Sequence, residues 1–259
     1  MSTQPIGIFD SGVGGTSIWK EINLRLPNEH TLYLADSFNA PYGNKSKSEI
    51  IDLSIKNTQF LLDHNCKLIV VACNTATTNA IKILRDTCQV PIIGIEPAIK
   101  PAALNTKTKA IGILATKGTL SSELFYKTTD LYGNGINVIE RIGEGIVQLI
   151  EKGDTHSEAM RALLKHYLQP MIAANIDHLV LGCTHYPYLV ELLTELLPKH
   201  VKIIDSGEAV ARQTKAILKQ NDLLNTETCN PENKFYTNGT TTVMSQLLDH
   251  QHSVEYLKF

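Results

Sequence analysis

Two cysteines in this chain stand where a thiol can serve as an acid or a base. Cys73 follows the apolar run Leu68-Ile-Val-Val-Ala72, and Cys183 follows Leu179-Val-Leu-Gly182. Each precedes residues suited to start a helix, Asn74-Thr75 and Thr184-His185. In open α/β sheets, ligands bind beyond the carboxyl ends of the strands. A thiol placed there faces the positive end of the next helix, which favours thiolate. The bland reading is a small buried residue, and for Cys66, Cys88 and Cys229 that reading prevails. For Cys73 and Cys183 the matched positions favour chemistry. Two thiols on opposite sides of one carbon suit inversion of that centre. One removes the proton from one face while the other delivers a proton to the opposite face, and the reverse reaction swaps the roles. General acid–base catalysis works best with groups whose pKa lies near the working pH.

Other candidates cluster around these two. Asp10-Ser11 ends the first apolar run, on the same sheet edge as Cys73, and Asp10 could orient an ammonium group or assist the thiol. The loop Ser11-Gly-Val-Gly-Gly15 suits close backbone approach to a small anion, or simply a tight strand-to-helix turn. It matches neither G-x-G-x-x-G nor G-x-x-x-x-G-K-[ST], so a nucleotide site has little support. His185, two residues after Cys183, reads as a proton donor or thiol partner, or as a structural hydrogen-bonder. Pro41-Tyr42-Gly43 reads as a turn.

The elements that must position these residues alternate. Ile6-Gly-Ile-Phe9, Thr31-Leu-Tyr-Leu-Ala35, Leu68–Ala72 and Pro91-Ile-Ile-Gly-Ile95 read as buried strands. Helices are expected from about Ser17, from Ser46 (with Glu49 at capping-box spacing) and after Asn74. This predicts an α/β fold with mainly parallel sheets covered on both faces. The second half repeats the first. Ile6-Gly-Ile-Phe-Asp-Ser-Gly12 resembles Ile111-Gly-Ile-Leu-Ala-Thr-Lys-Gly118, Leu68–Thr75 resembles Leu179–His185, and Val90-Pro-Ile-Ile-Gly94 resembles Val201-Lys-Ile-Ile-Asp205. Their common order and near-constant spacing point to two similar α/β domains, pseudo-twofold related, with the active site in the cleft between them. Prolines from Glu96-Pro97 to Pro101 interrupt the pattern and suggest a boundary there. The expected domains are 1–97 plus 207–259, carrying Asp10 and Cys73, and 98–206, carrying Cys183 and His185. After a helix from about Glu208 to Lys219, the tail, with its Asn238-Gly239 turn and a last helix near Val243–Leu248, is expected to pack back on the first domain.

Composition narrows the classes. The 259 residues carry a formal net charge of −2 and are 43% hydrophobic, which suits a globular protein with a real core. This near-neutral balance argues against nucleic-acid or membrane partners. No apolar run nears the ~18 residues a spanning helix needs, and the start shows no signal-peptide pattern. Five cysteines, an odd number with no C-x-x-C, disfavour a disulfide framework and a zinc site. Free thiols suggest the cytoplasm.

The motifs Phe9-Asp-Ser-Gly-Val-Gly-Gly15, Leu34-Ala-Asp-Ser-Phe-Asn-Ala-Pro-Tyr-Gly43, Val71-Ala-Cys-Asn-Thr-Ala76, Leu181-Gly-Cys-Thr-His-Tyr-Pro187 and Phe235-Tyr-Thr-Asn-Gly239 resemble the glutamate racemase family over nearly the whole chain. The resemblance implies interconversion of L- and D-glutamate for peptidoglycan, with no pyridoxal phosphate, no metal and no other cofactor, in a homodimer. It implies that Cys73 and Cys183 are the acid/base pair, that Asp10 assists the first and His185 the second, and that Glu151 is a further acidic residue near the second thiol. It implies substrate contacts from Asp10, Ser11, Pro41, Tyr42, Gly43, Asn74, Thr75, Thr184 and His185. The family often has Cys-Pro before that acidic residue. Arg141–Glu151 lacks it, so Glu151 is also read as a solvated helix residue, and Thr16 replaces a usual apolar residue. Relatives acting on aspartate tend to carry Thr-Glu after the second cysteine; Thr184-His185 favours glutamate. Aspartate racemases, other two-cysteine isomerases and a non-catalytic small-anion binder remain the alternatives.

Overall fold

The computed structural model describes residues 3–227 and 230–259; Cys229 lies outside them. Four strands open the chain: β1 (Ile6–Asp10), β2 (Thr31–Ala35), β3 (Leu68–Val71) and β4 (Ile92–Gly94). Four more form a second sheet: β5 (Ala110–Ala115), β6 (Asn137–Ile142), β7 (His178–Gly182) and β8 (Lys202–Ile204). The last two, β9 (Asn233–Thr237) and β10 (Val254–Tyr256), return to the first sheet, where β9 pairs with β2. The sheet orders are β10-β9-β2-β1-β3-β4 and β6-β5-β7-β8, and every pairing is parallel. Thus β2-β1-β3-β4 and β6-β5-β7-β8 follow one plan, and the repeated motifs of the sequence fall on corresponding strands.

Strands β1, β2, β3, β5 and β7 are buried along their whole length, as parallel strands covered by helices on both faces must be. One continuous apolar cluster runs from Ile8 and Trp19 in the first half to Leu164 and Leu181 in the second, with Val13, Ile146 and Ile150 among its members. Removing apolar area from water at roughly 25 cal/mol per Å² therefore helps to hold the halves together. The helix Lys47–Asp63 starts at a complete capping box: Ser46 Oγ accepts from the Glu49 N–H at 3.3 Å, and Glu49 accepts from the Ser46 N–H at 2.9 Å.

The structure adds elements that the sequence patterns do not reveal. β6 is a half-exposed edge strand, and β10 is a short edge strand at the C-terminus. Where the prolines suggested a break, a helix spans Ile99–Asn105 with Pro101 in its first turn. An N–H there has no helical partner to lose, so proline is tolerated.

Candidate active site

The carboxyl ends of β1 and β3 face that of β7, and the residues just past them enclose one small cavity. Ser11, Tyr42, Gly43, Cys73, Asn74 and Thr75 line it from the first half, and Thr116, Val147, Cys183, Thr184 and His185 from the second. Pro41 completes the wall. Both sulfurs thus border the same space. Measured for the centre of a water-sized sphere, that space is only about 10 Å³, near the minimum that holds one water. Pro41, Gly43, Thr116 and Val147 separate it from an open cleft of about 270 Å³ that also includes Lys117. A ligand larger than water requires these walls to part.

On the second-half side the groups form a chain. Cys183 Sγ lies 3.7 Å from His185 Nδ1, and His185 Nε2 lies 2.6 Å from Glu151 Oε1. The Val13 N–H donates to the same carboxylate oxygen at 2.7 Å, and Ser37 Oγ–H donates to the other at 2.9 Å. Glu151 is therefore no solvated helix residue; its side chain is 15% exposed and bound from both halves. Burial alone would lower the pKa of His185, but the Cys183 and Glu151 partners outweigh it and hold the imidazole well above its usual range. A protonated His185 can donate from Nδ1 to the Cys183 sulfur.

The first-half side is built differently. Cys73 caps the helix Asn74–Thr87, and its sulfur accepts from the Ala76 N–H at 3.4 Å. The helix terminus does act as the sequence suggests, yet burial dominates. Together with the negative field of Asp10 it pushes the Cys73 thiol far above its ordinary range, against contacts from Ala76 and Ser11 that lower it. Burial thus favours the neutral thiol at Cys73, against the effect of the helix terminus. Asp10 is fully buried, and that burial raises its carboxyl above the usual range despite His185. Its oxygens accept from the Gly15 N–H at 2.8 Å and from the Thr184 hydroxyl at 3.3 Å. His185 Nδ1 lies 4.0 Å from Asp10 Oδ2.

The glycine loop makes room for side chains. A Cβ at Gly12 would overlap the Glu151 carboxylate, one at Gly14 the His185 ring, and one at Gly15 would sit 2.6 Å from Asp10 Cβ. The loop is the tight turn from β1 into the helix Thr16–Arg25, and the groups packed against its glycines are the protein's own acids and imidazole. Asn74 is 3% exposed, and neither its Oδ1 nor its Nδ2 meets a hydrogen-bond partner. Leaving a buried amide unpaired costs about 1–3 kcal/mol per group. An amide kept that way on a cavity wall is suited to bind a polar ligand.

The arrangement offers two thiols, an acid/base neighbour for each and an unpaired amide. It can move a proton at a carbon held between the sulfurs. Residues 14–214 match the family described as Asp/Glu/Hydantoin racemase. The chain is 49% identical over 208 residues to the glutamate racemase of Ralstonia pickettii, covering 80% of this chain and 74% of that one. This chain belongs to the Asp/Glu/hydantoin racemase family. The racemase fold matches the crystal structure of the glutamate racemase isoform RacE1 from Bacillus anthracis with a TM-score of 0.89 at 31% identity, covering 100% of this chain and 98% of that one. It also matches the Francisella tularensis glutamate racemase in complex with D-glutamate, with a TM-score of 0.85 at 32% identity and coverage of 100% and 97%.

Several residues of this racemase site carry no spacing signal in the sequence. Asp36, just past β2, accepts from Tyr42 Oη–H at 2.5 Å, Asn39 Nδ2–H at 2.8 Å and Asn238 Nδ2–H at 2.6 Å, and so fixes a cavity wall. Thr116 and Thr119 join Thr75 in a triangle of hydroxyls, at 2.7 Å from Thr75 to Thr116 and 3.0 Å from Thr116 to Thr119. Thr16 Oγ1 bonds Tyr188 Oη across the halves at 2.6 Å.

The unpaired amide gives a prediction. Asn74→Ala should raise KM for the amino-acid substrate about tenfold or more, while the Tm of the unliganded protein stays level or rises, because a burial cost is removed. Steady-state kinetics and thermal unfolding measure both. A Tm lower by several degrees with unchanged KM would make the amide structural.

Proposed function

We propose that this chain interconverts L- and D-glutamate by a two-thiol proton transfer that uses neither pyridoxal phosphate nor metal. The observation that carries this reading is the placement of Cys73 and Cys183 on one cavity, past corresponding strands of the two sheets. In one direction the Cys183 thiolate takes the α-proton of L-glutamate, and the Cys73 thiol gives its proton to the opposite face of the carbanion. The C–H electron pair stays on carbon until the second proton arrives. In the other direction the Cys73 thiolate left by that step takes the α-proton of D-glutamate, and the Cys183 thiol gives its proton to the opposite face, with Asp10 as the acidic neighbour of Cys73. His185, oriented by Glu151, stabilises the Cys183 thiolate. Ser11, Asn74, Thr75 and Thr184 supply the polar wall for the amino-acid end, and Pro41, Tyr42 and Gly43 close the cavity. The Francisella tularensis relative, which holds D-glutamate, supports the substrate.

The same reading divides the chain into 1–97 plus 207–259 and 98–206, with the cleft between. It makes the enzyme a cytoplasmic homodimer that supplies D-glutamate for peptidoglycan. Among the described residues, Cys66, Cys73, Cys88 and Cys183 are free thiols, and no helix is long and apolar enough to cross a membrane.

Circular dichroism of L-glutamate and of L-aspartate, each incubated with purified protein and no additive, tests this function. We predict that the glutamate signal decays to zero, that aspartate is racemised at least about tenfold more slowly, and that a chelator changes nothing. Preference for aspartate, or loss of activity with the chelator, would overturn it.

A further inference from the structure

We propose that Ser37 is a positioning residue for proton transfer on the Cys183 side, and that the Asn238-Gly239 turn exists to hold it there. This inference rests on the two-thiol reading above.

Ser37 is the outermost member of a continuous chain. Its hydroxyl donates to Glu151 Oε2 at 2.9 Å, Glu151 Oε1 meets His185 Nε2 at 2.6 Å, and His185 Nδ1 meets Cys183 Sγ at 3.7 Å. A carboxylate anchored at a single oxygen can still rotate. The Val13 N–H, 2.7 Å from Oε1, and the Ser37 hydroxyl on Oε2 hold both oxygens. Glu151 then aims one lone pair at His185, and the imidazole aims Nδ1 at the sulfur. Such second contacts fix ring orientation and basicity.

Ser37 is itself fixed from behind. Asn238 Oδ1 accepts from the Phe38 N–H at 2.9 Å, and Asn238 Nδ2–H donates to Asp36 at 2.6 Å, so one amide clamps the residues on both sides of Ser37. Gly239 lies directly against it: a Cβ at that position would come within 2.7 Å of Ser37 Cβ. The tail motif Phe235–Gly239 thus reaches the chemistry through the Asp36–Phe38 segment.

The chain is one-sided. Cys73 has different hydrogen-bond partners, the Ala76 N–H and Ser11, whereas the Ser37 hydroxyl bonds Glu151. Loss of the Ser37 hydroxyl should therefore harm proton removal by Cys183 and spare proton removal by Cys73. The titratable groups facing His185 are Glu151 from the helix Ile146–Glu151, Asp10 from β1 and Cys183 past β7. Glu151 helps to hold the imidazole above its usual range. A loosened Glu151 lets the His185 pKa fall, and the pH at which the imidazolium is lost falls with it. The high-pH limb of any step that needs imidazolium moves to lower pH.

The test uses the full chain and the two α-carbon enantiomers of β-chloroglutamate. A thiolate removes the α-proton, the electron pair forms the α,β double bond, and chloride leaves. The enamine tautomerises and hydrolyses to 2-oxoglutarate and ammonium, so each enantiomer reports one base. For Ser37→Ala we expect elimination from the L-analogue to fall about tenfold and its high-pH limb to shift downward. The D-analogue should stay within about twofold, and Ser37→Thr should recover most of the L-rate. Equal loss for both enantiomers, or no loss for either, would overturn the assignment. Wild-type protein and the Cys73→Ser and Cys183→Ser variants run alongside. If those cysteine variants show no opposite preference, the two-thiol reading itself fails. If they do and Ser37→Ala is symmetric, only the Ser37 inference fails.

Discussion

Serine at position 73 or at position 183 is expected to lower glutamate racemisation by at least about a thousandfold, the scale of losing a positioned acid–base group. A serine hydroxyl is far less acidic than a thiol of ordinary pKa about 8.5, and each turnover needs both groups. The two variants should nevertheless differ in kind. Cys183→Ser keeps the base for the D-enantiomer of β-chloroglutamate and should eliminate chloride from that enantiomer alone. Cys73→Ser keeps the base for the L-enantiomer and should show the opposite preference. Racemisation rates cannot show this. The enantiomers of glutamate have equal free energy, so kcat/KM is the same in both directions for every variant. An irreversible elimination escapes that constraint. Equal loss for both enantiomers in both variants would make the thiols structural, and full racemisation by either variant would remove that cysteine from the chemistry.

The second large effect is expected from a methyl group. In Gly14→Ala the new Cβ falls on the His185 ring, and in Gly12→Ala on the Glu151 carboxylate. Neither side chain can yield freely. His185 is fully buried between Cys183 and Glu151, and Glu151 is held by Val13 and Ser37. The loop or the imidazole must shift, and displacements near 1 Å at a reacting centre cost about a hundredfold in rate. We predict a loss of that order in kcat for Gly14→Ala, with a smaller rise in KM and retained far-UV circular dichroism. An unchanged kcat would mean that the loop relaxes and that His185 tolerates displacement.

These two sites mark how far the sequence could be read. Cys73 and Cys183 are visible because each follows a buried apolar run and because the runs repeat in order; the sheet orders β2-β1-β3-β4 and β6-β5-β7-β8 are the physical source of that repeat. The glycines were visible as a loop that permits close approach, but not what approaches, since Glu151 and His185 come from distant parts of the chain. Glu151 was ambiguous for the same reason: its partners Val13 and Ser37 lie more than a hundred residues away. Asp36 and Ser37 lay inside a recognised motif, yet their roles depend on contacts with Asn238 and Glu151 that no local spacing encodes. Strand β6 escaped detection because an edge strand is only half buried and mixes Glu140 and Arg141 with its apolar residues. The expectation for Cys73 misjudged a balance. A helix terminus lowers a thiol pKa modestly, whereas full burial beside Asp10 raises it by more.

In the proposed mechanism two different groups act on opposite faces of the α-carbon. Initial-rate racemisation of L-glutamate in deuterium oxide tests it most directly, with the α-position of both enantiomers followed by mass spectrometry after chiral separation. The D-glutamate formed should carry deuterium at the α-carbon from the first turnovers, because its proton comes from the Cys73 thiol, which exchanges with solvent. The L-glutamate recovered at the same time should remain protiated, because the proton taken by Cys183 is held on the face from which it came and returns there before it exchanges. Protium retained in the D-product, or deuterium entering recovered L-glutamate as fast as racemisation proceeds, would show a single base serving both faces and would contradict the account.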